Sequence, residues 1–371
     1  MKTALLHYWL TTLRGGEHVL AEFCRMFPEA DIYTHAWDPT RVGEPFSRHR
    51  ITETFISGLP GARRNCQKYL PLMPAALRKL DLSGYDLIVS SESGPVKGIR
   101  KPAGAFHICY CHTPMRYLWD MYDDYYARAS LPAKLAMTLF KRPLRRYDLK
   151  SAESVDLFIA NSRFVGERIE RIYGRESVVV HPPVDTEFFA AARGGDKDDY
   201  YLFVGQLIAY KRPDLAAALA AKTGRKVIIA GEGPMAAELR RSAGPGVEFT
   251  GRVSRETLRR LYARARALIF PGVEDFGIVP VEAQAAGTPV IALGAGGALE
   301  TVVDGETGVF FGEAKPGSLI EAVERFESME FSPEALQRQA RKFATEEFHR
   351  SFAAALRERG VTVPDLEGAV Q

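Results

Sequence analysis

The stretch Phe270-Pro-Gly-Val-Glu274-Asp-Phe-Gly-Ile-Val-Pro-Val-Glu282-Ala-Gln-Ala-Ala-Gly287-Thr-Pro289 decides how this chain reads. The apolar run that ends at Phe270 has the length and composition of a buried strand. Pro280 fits the first turn of a helix, where its missing N–H costs nothing. A second apolar run begins at Pro289. Strand, loop, helix and strand follow in order, which is the repeating unit of a parallel sheet. Glu274 then falls in the loop at the strand's carboxyl end, and Glu282 about one turn into the helix.

Outward from this segment the pattern continues. Strands are expected at 201–204, 226–230, 247–250, 267–270, 289–292 and 308–310. Helices are expected at 212–221, 234–242, 255–264, 279–286 and 316–326, then near 333–345 and 346–359. The first half alternates likewise, with strands at 2–7, 31–34, 86–90, 105–109, 157–160 and 177–180 and helices at 16–26, 131–151 and 163–173. The stretch from His181-Pro-Pro to Asp199 is rich in Pro, Gly and charge and reads as a linker. The expectation is α/β architecture: two Rossmann-like domains over 1–185 and 200–345, a linker over 186–199, and a helix and tail over 346–371 that cross back to the first domain. Sheets of this kind bind ligands at the carboxyl ends of their strands, so two of them facing each other imply a central cleft.

Composition excludes several classes. Of 371 residues, 46% are hydrophobic and 26% charged, which rules out a disordered chain. No apolar run reaches the roughly 20 residues of a membrane span, and polar residues from His7 onward interrupt any export signal. Four cysteines are too few for a disulfide framework, and Cys109-x-Cys111 lacks a second pair at zinc spacing. A cytoplasmic protein is expected, with no nucleic-acid partner. Residues 1–185 carry 26 Lys/Arg against 20 Asp/Glu, whereas the remainder is slightly acidic. The surplus gathers at Arg63, Arg64, Lys68, Arg78 and Lys79, and again at Lys134, Lys141, Arg142, Arg145, Arg146 and Lys150. Interleaved with apolar residues, both stretches read as amphipathic basic helices suited to an anionic membrane surface or substrate, or else as solvated helix faces.

The candidate chemistry lies at strand ends. Backbone N–H groups around Asp275, Phe276, Gly277 and Ile278 open a helix and suit a phosphate or sugar hydroxyls. The carboxylates of Glu274 and Glu282 suit hydroxyls. Lys211 and Arg212 follow a strand and Gly205, where cations can stabilise a diphosphate leaving group. His112 follows the strand 105–109 and sits beside Thr113-Pro114. Gly294-Ala-Gly-Gly297 permits close backbone approach, and Gly251-Arg252-Val253-Ser254 follows a strand where a nucleobase would lie. Asp196-x-Asp198 lies among other charges and reads as solvated linker rather than as a metal site.

The segment with Glu274 and Glu282 resembles the Glu-x7-Glu signature of family-4 retaining glycosyltransferases, which have the GT-B fold. Val204-Gly205-Gln206 through Lys211-Arg212 is similar to that family's glycine turn and phosphate-binding lysine, with Gln206 where the family usually has arginine and Arg212 as the compensating cation. Gly15-Gly16-Glu-His resembles the family's glycine pair, and His112 in Cys-His-Thr-Pro-Met-Arg its active-site histidine. The resemblance implies a retaining, metal-independent hexosyltransferase without a cofactor. It implies a nucleotide-sugar donor met by Gly15, Gly16, Gly205, Gln206, Arg252, Val253 and the residues from Asp275 to Ile278 and at Glu282. Catalysis would rest on His112, Lys211, Arg212 and Glu274. The likeness is greatest to bacterial mannosyltransferases of surface-polysaccharide and O-antigen assembly, with GDP-mannose as first donor, a UDP-hexose as second, and a glycan or polyprenyl-diphosphate-linked acceptor. A nucleotide-sugar epimerase and a non-catalytic sensor are the competing classes.

Overall fold

Seven short runs of the first half pair into one parallel sheet: β1 (Thr3–His7), β2 (Asp31–Thr34), β3 (Ile51–Glu53), β4 (Leu87–Glu92), β5 (Phe106–Cys111), β6 (Leu157–Ala160) and β7 (Val178–Val179). The computed structural model describes residues 1–191 and 197–361. It divides into two units, Met1–His181 rejoined by the chain from His349 on, and Pro182–Phe348. In the first, the strand order is β3-β2-β1-β4-β5-β6-β7. The chain thus starts mid-sheet, runs outward to β3, and returns beside β1 to build the other half. That reversal creates a crevice at the carboxyl ends of β1 and β4.

The second unit repeats the plan with β8 (Tyr201–Val204), β9 (Val227–Ala230), β10 (Val247–Gly251), β11 (Ala267–Phe270), β12 (Val290–Leu293) and β13 (Gly308–Phe311), in the order β10-β9-β8-β11-β12-β13. All pairings are parallel. Strands such as β1, β9, β11 and β12 are buried along their whole length, as sheets covered by helices on both faces require. Here the crevice opens at the ends of β8 and β11.

The structure corrects three expectations. β3 carries no recognisable pattern, because three half-buried residues on a sheet edge are too few to show one. The stretch read as linker from 186 holds a helix, Thr186–Ala190, and the second unit begins at Pro182. Asp185 caps that helix by accepting the Phe188 N–H, Phe189 is buried against Tyr262, and Val184 N donates to Phe343 O at 3.0 Å. Apolar anchors thus outweigh the Pro and Gly punctuation. Asp196 lies outside the described residues. Asp198 pairs with Arg264, and Lys197 Nζ donates to Ala263 O, Gly287 O and Thr288 Oγ1, so both side chains, though partly exposed, are tied to the second unit.

The third correction concerns the basic stretches. Residues from Arg63 to Lys79 form no continuous amphipathic helix. They break into Ala62–Asn65, a 3₁₀ segment Cys66–Leu72 and Met73–Leu77, because Pro71 removes a backbone donor inside the run. Arg63 is taken by Glu53. The second stretch is one 22-residue helix, Leu131–Ala152. It is pinned at Asp148, which together with Glu92 receives the fully buried Lys97 ammonium and also accepts Trp119 Nε1–H at 2.7 Å. Burial pushes Glu92 up to about 7. The last helix, Thr345–Arg357, joins the first unit from His349 on: His349 Nε2 lies 3.1 Å from Glu22, and Phe352 packs on Phe23 and Phe27.

Candidate functional site

In the second unit, β8 ends at Val204 and is followed by Gly205 and a 3₁₀ turn, Ala209–Lys211. Lys211 Nζ donates to Glu274 Oε1 at 2.8 Å, joining the loop after β8 to the loop after β11. Two glycines make that approach possible. A Cβ on Gly272 would stand 2.6 Å from Lys211 Cα, and one on Gly297 would stand 2.3 Å from Phe276 Cα. Gly297 N also donates to Glu274 O at 2.9 Å. The glycine turn at 294–297, expected to approach a ligand, is therefore packed against the Glu274–Phe276 backbone and holds that loop in place.

Glu274 is followed by Asp275, by the buried Phe276 set edge-on against Phe343, and by Gly277 at φ 92°. The helix Ile278–Ala285 starts there, with Pro280 in its first turn and Glu282 one turn in. Glu282 is half-buried and accepts the Tyr262 hydroxyl at 2.8 Å, and burial pushes its carboxyl up to about 7. The structure therefore brings together Lys211, Glu274 and the first turn of this helix at the crevice of β8 and β11. Glu282 stands behind them on the helix.

Arg212 does not join this group. It adopts φ 54°, the one positive-φ residue other than glycine among those described. Its Nε and Nη2 grip both Asp214 oxygens, and Nη1 donates to Ala314 O. Its three nitrogens are thus occupied in shaping the start of helix Pro213–Thr223. In this arrangement Arg212, expected to supply a cation to the diphosphate, is turned to Asp214 and the Ala314 carbonyl instead. Gln206 and Arg252 are exposed, whereas Val253 packs against the core.

In the first unit, His112 follows β5 directly, and its Nε2 lies 2.8 Å from Ser91 Oγ. Burial and the neighbouring His7 push its imidazole down to about 3, so it is neutral and suited to hydrogen bonding. Gly15 and Gly16 open helix Gly15–Met26, and a Cβ on Gly16 would meet Tyr8 Oη at 2.7 Å and His112 Nε2 at 3.5 Å. Gly16 is therefore a steric requirement of the histidine's surroundings.

Several participants escaped the sequence reading. Tyr262 offered no signal, being twenty residues from its partner Glu282. Gly231 carried a weak one, since it follows β9 at a strand end. A Cβ there would strike Gly205 O, so the two turns lie backbone to backbone. Among the described residues, no three His, Cys, Asp or Glu side chains converge as a metal site.

Two doubly wound parallel sheets of this strand order, in series, define the GT-B glycosyltransferase fold. The structure aligns with sucrose-phosphate synthase from Thermosynechococcus elongatus at a TM-score of 0.74 and 20% identity, over 97% of this chain and 99% of that one. It aligns with HepE of Anabaena in complex with UDP at 0.70 and 18% identity, over 96% and 100%. Residues 13–188 match the family model "Glycosyltransferase Family 4" and residues 184–343 the model "Glycosyl transferases group 1". The first half thus resembles a family 4 glycosyltransferase domain and the second a group 1 glycosyltransferase domain. D-inositol 3-phosphate glycosyltransferase of a Mycobacterium species (strain KMS) is 32% identical over 194 residues, 45% of this chain and 44% of that protein. The Mycolicibacterium smegmatis protein of the same name is 31% identical over 230 residues, 55% and 52%. The chain spans about half the length of these curated relatives.

Proposed function

We propose that this protein is a retaining, metal-independent hexosyltransferase that moves a sugar from a nucleoside diphosphate onto a glycan or lipid-linked acceptor. The observation that carries the reading is the Lys211–Glu274 pair at the crevice of β8 and β11, beside the amino end of helix Ile278–Ala285. A diphosphate arriving there gives Lys211 a stronger partner than Glu274. The cation then offsets charge that grows as the glycosidic bond breaks. Glu274, released, accepts a hydroxyl of the sugar, while Glu282, held from behind by the buried Tyr262 hydroxyl, meets the ribose. His112, neutral, is a hydrogen-bonding group toward a sugar hydroxyl and not a base. With no carboxylate assigned to the sugar's opposite face, the scheme is front-face substitution, in which a leaving-phosphate oxygen takes the acceptor's proton and the protein supplies orientation.

GDP-mannose is the first donor proposed and a UDP-hexose the second, the latter favoured by the UDP bound to the HepE homologue of the same fold. A thermal-shift panel of nucleotide sugars tests both, since a ligand at a hundred times its Kd stabilises by about 2.7 kcal/mol. A shift with GDP-mannose alone is the expected result. A shift with UDP-glucose alone selects the second donor, and no shift with any member defeats the reading. Turnover of donor without acceptor would favour the epimerase class.

A peripheral association with an anionic membrane face, from the cytoplasmic side, belongs to the same proposal. Leu131, Leu135 and Leu139 are 82%, 63% and 62% exposed, one turn apart, on the helix that also carries Lys134, Lys141 and Arg142. Leu131→Ser/Leu135→Ser should abolish sedimentation with anionic vesicles, and raising salt should weaken it. Equal sedimentation with neutral and anionic vesicles would return the helix to a solvated face.

A further inference from the structure

Three histidine and serine side chains cross the first unit's crevice in a line. His7 ends β1, Ser91 lies opposite it in the register of β4, and His112 follows the end of β5. His7 Nδ1 is 3.0 Å from Ser91 Oγ, and the same oxygen is 2.8 Å from His112 Nε2. At the far end, His7 Nε2 lies 3.7 Å from Glu17 Oε1 and has no closer hydrogen-bond partner. His7, Ser91 and Glu17 are all buried. None of them belongs to the residues assigned above.

A serine hydroxyl has one proton to give, so a chain of this kind has a single sense throughout. Glu17 decides which. It sits in the first turn of helix Gly15–Met26, where negative charge is favoured, and its Oε2 accepts the Arg14 N–H at 2.9 Å. A carboxylate only accepts, so the His7 nitrogen that faces it must carry the proton. A bare lone pair aimed at a carboxylate in this dry setting would be repelled. With His7 as the neutral imidazole, which has a single N–H, Nδ1 is then bare and takes the Ser91 proton, and Ser91 Oγ, its own proton spent, accepts from His112 Nε2–H.

We propose that Glu17, His7 and Ser91 are positioning residues that hold His112 as its Nε2–H tautomer, so that Nδ1 presents a lone pair to a sugar hydroxyl. Among the described residues no group hydrogen-bonds Nδ1; the neighbouring bonds go to its Nε2, its backbone N–H and its carbonyl. The role toward sugar rests on the glycosyltransferase reading. The tautomer does not.

Long-range proton–nitrogen correlation spectra of the full chain, labelled in histidine nitrogen and recorded without donor, distinguish a protonated from a bare ring nitrogen. His112→Asn identifies the signal. The expected wild-type result is a protonated Nε2 and a bare Nδ1 on His112. Glu17→Gln keeps an acceptor for Arg14 but can turn an N–H toward His7. It should reverse every bond in the line and move the His112 proton to Nδ1, lowering kcat about tenfold at unchanged melting temperature. A protonated Nδ1 in the wild type overturns the proposal, and so does a Glu17→Gln spectrum identical to wild type. Should that variant not fold, Ser91→Ala must leave His112 in a mixture of tautomers, and a single unchanged tautomer there overturns it equally. If the proton moves and no transfer activity is found with any donor, the tautomer relay stands and only the glycosyltransferase reading falls.

Discussion

Lys211→Ala is expected to lower kcat/KM for the nucleotide sugar at least a hundredfold, with donor affinity and turnover both falling. Removing one preformed charge partner from a developing anion costs on the order of 3 kcal/mol, which is about two powers of ten in rate. Lys211 is mostly buried at 14% side-chain exposure, so solvent screens its charge little. The loss should exceed what the folded protein pays. Without donor, Glu274 loses its partner but remains one-fifth exposed and can be rehydrated, so the melting temperature should move by only a few degrees. Steady-state kinetics and a melting curve on one preparation separate the two effects. Kinetics unchanged from wild type would remove Lys211 from the site. Arg212→Ala should behave differently. Its guanidinium serves Asp214 and the Ala314 carbonyl, so it should cost stability and leave the ratio of kcat to KM nearly unchanged.

The second large effect separates the two carboxylates. Glu274 stands with Lys211 where charge changes during the reaction, so Glu274→Gln should fall about a hundredfold in kcat. Glu282, on the following helix and bonded to the Tyr262 hydroxyl, should mainly raise donor KM when changed to Gln. The reverse pattern would mean that the nucleotide lies the other way along the helix, and no effect from either would end the assignment. Glu282 also gives a pH signature. Burial holds its folded-state pKa near 7, above the ordinary 4.5, so the folded form binds the proton more tightly than the unfolded one. Stability from this group is fully present below pH 4.5 and is lost as pH rises through 7. Gln mimics the protonated form. The melting temperature of Glu282→Gln relative to wild type should therefore climb between pH 5 and pH 8, and a flat difference would contradict the burial.

Much of this was legible in the residues alone. The strands Asp31–Thr34, Leu157–Ala160, Tyr201–Val204 and Ala267–Phe270 coincide with their expected bounds, the last three because buried parallel strands are near-continuous apolar runs bounded by polar loops. The placement of Glu274 in a loop and Glu282 on a helix followed from Pro280 and the apolar run before it. The helix Thr186–Ala190 did not follow, since five residues carry too little periodicity to outweigh the prolines before it.

The sequence by itself determined the alternation of strands and helices, hence the doubly wound class, and named Lys211, Glu274 and His112 as polar residues beyond strand ends and Glu282 as one turn into a helix. Those are properties of spacing and composition along the chain. Only the tertiary structure decided who partners whom. Lys211 turned to Glu274 across 63 positions while Arg212, its neighbour, turned to Asp214. Ser91 came to lie between His7 and His112 because β4 inserts between β1 and β5. The cause is strand order: it sets which loop ends meet at a sheet's crevice, and a backbone angle such as φ 54° at Arg212 sets which way a side chain leaves it. Neither quantity is written in the spacing of residues along one chain.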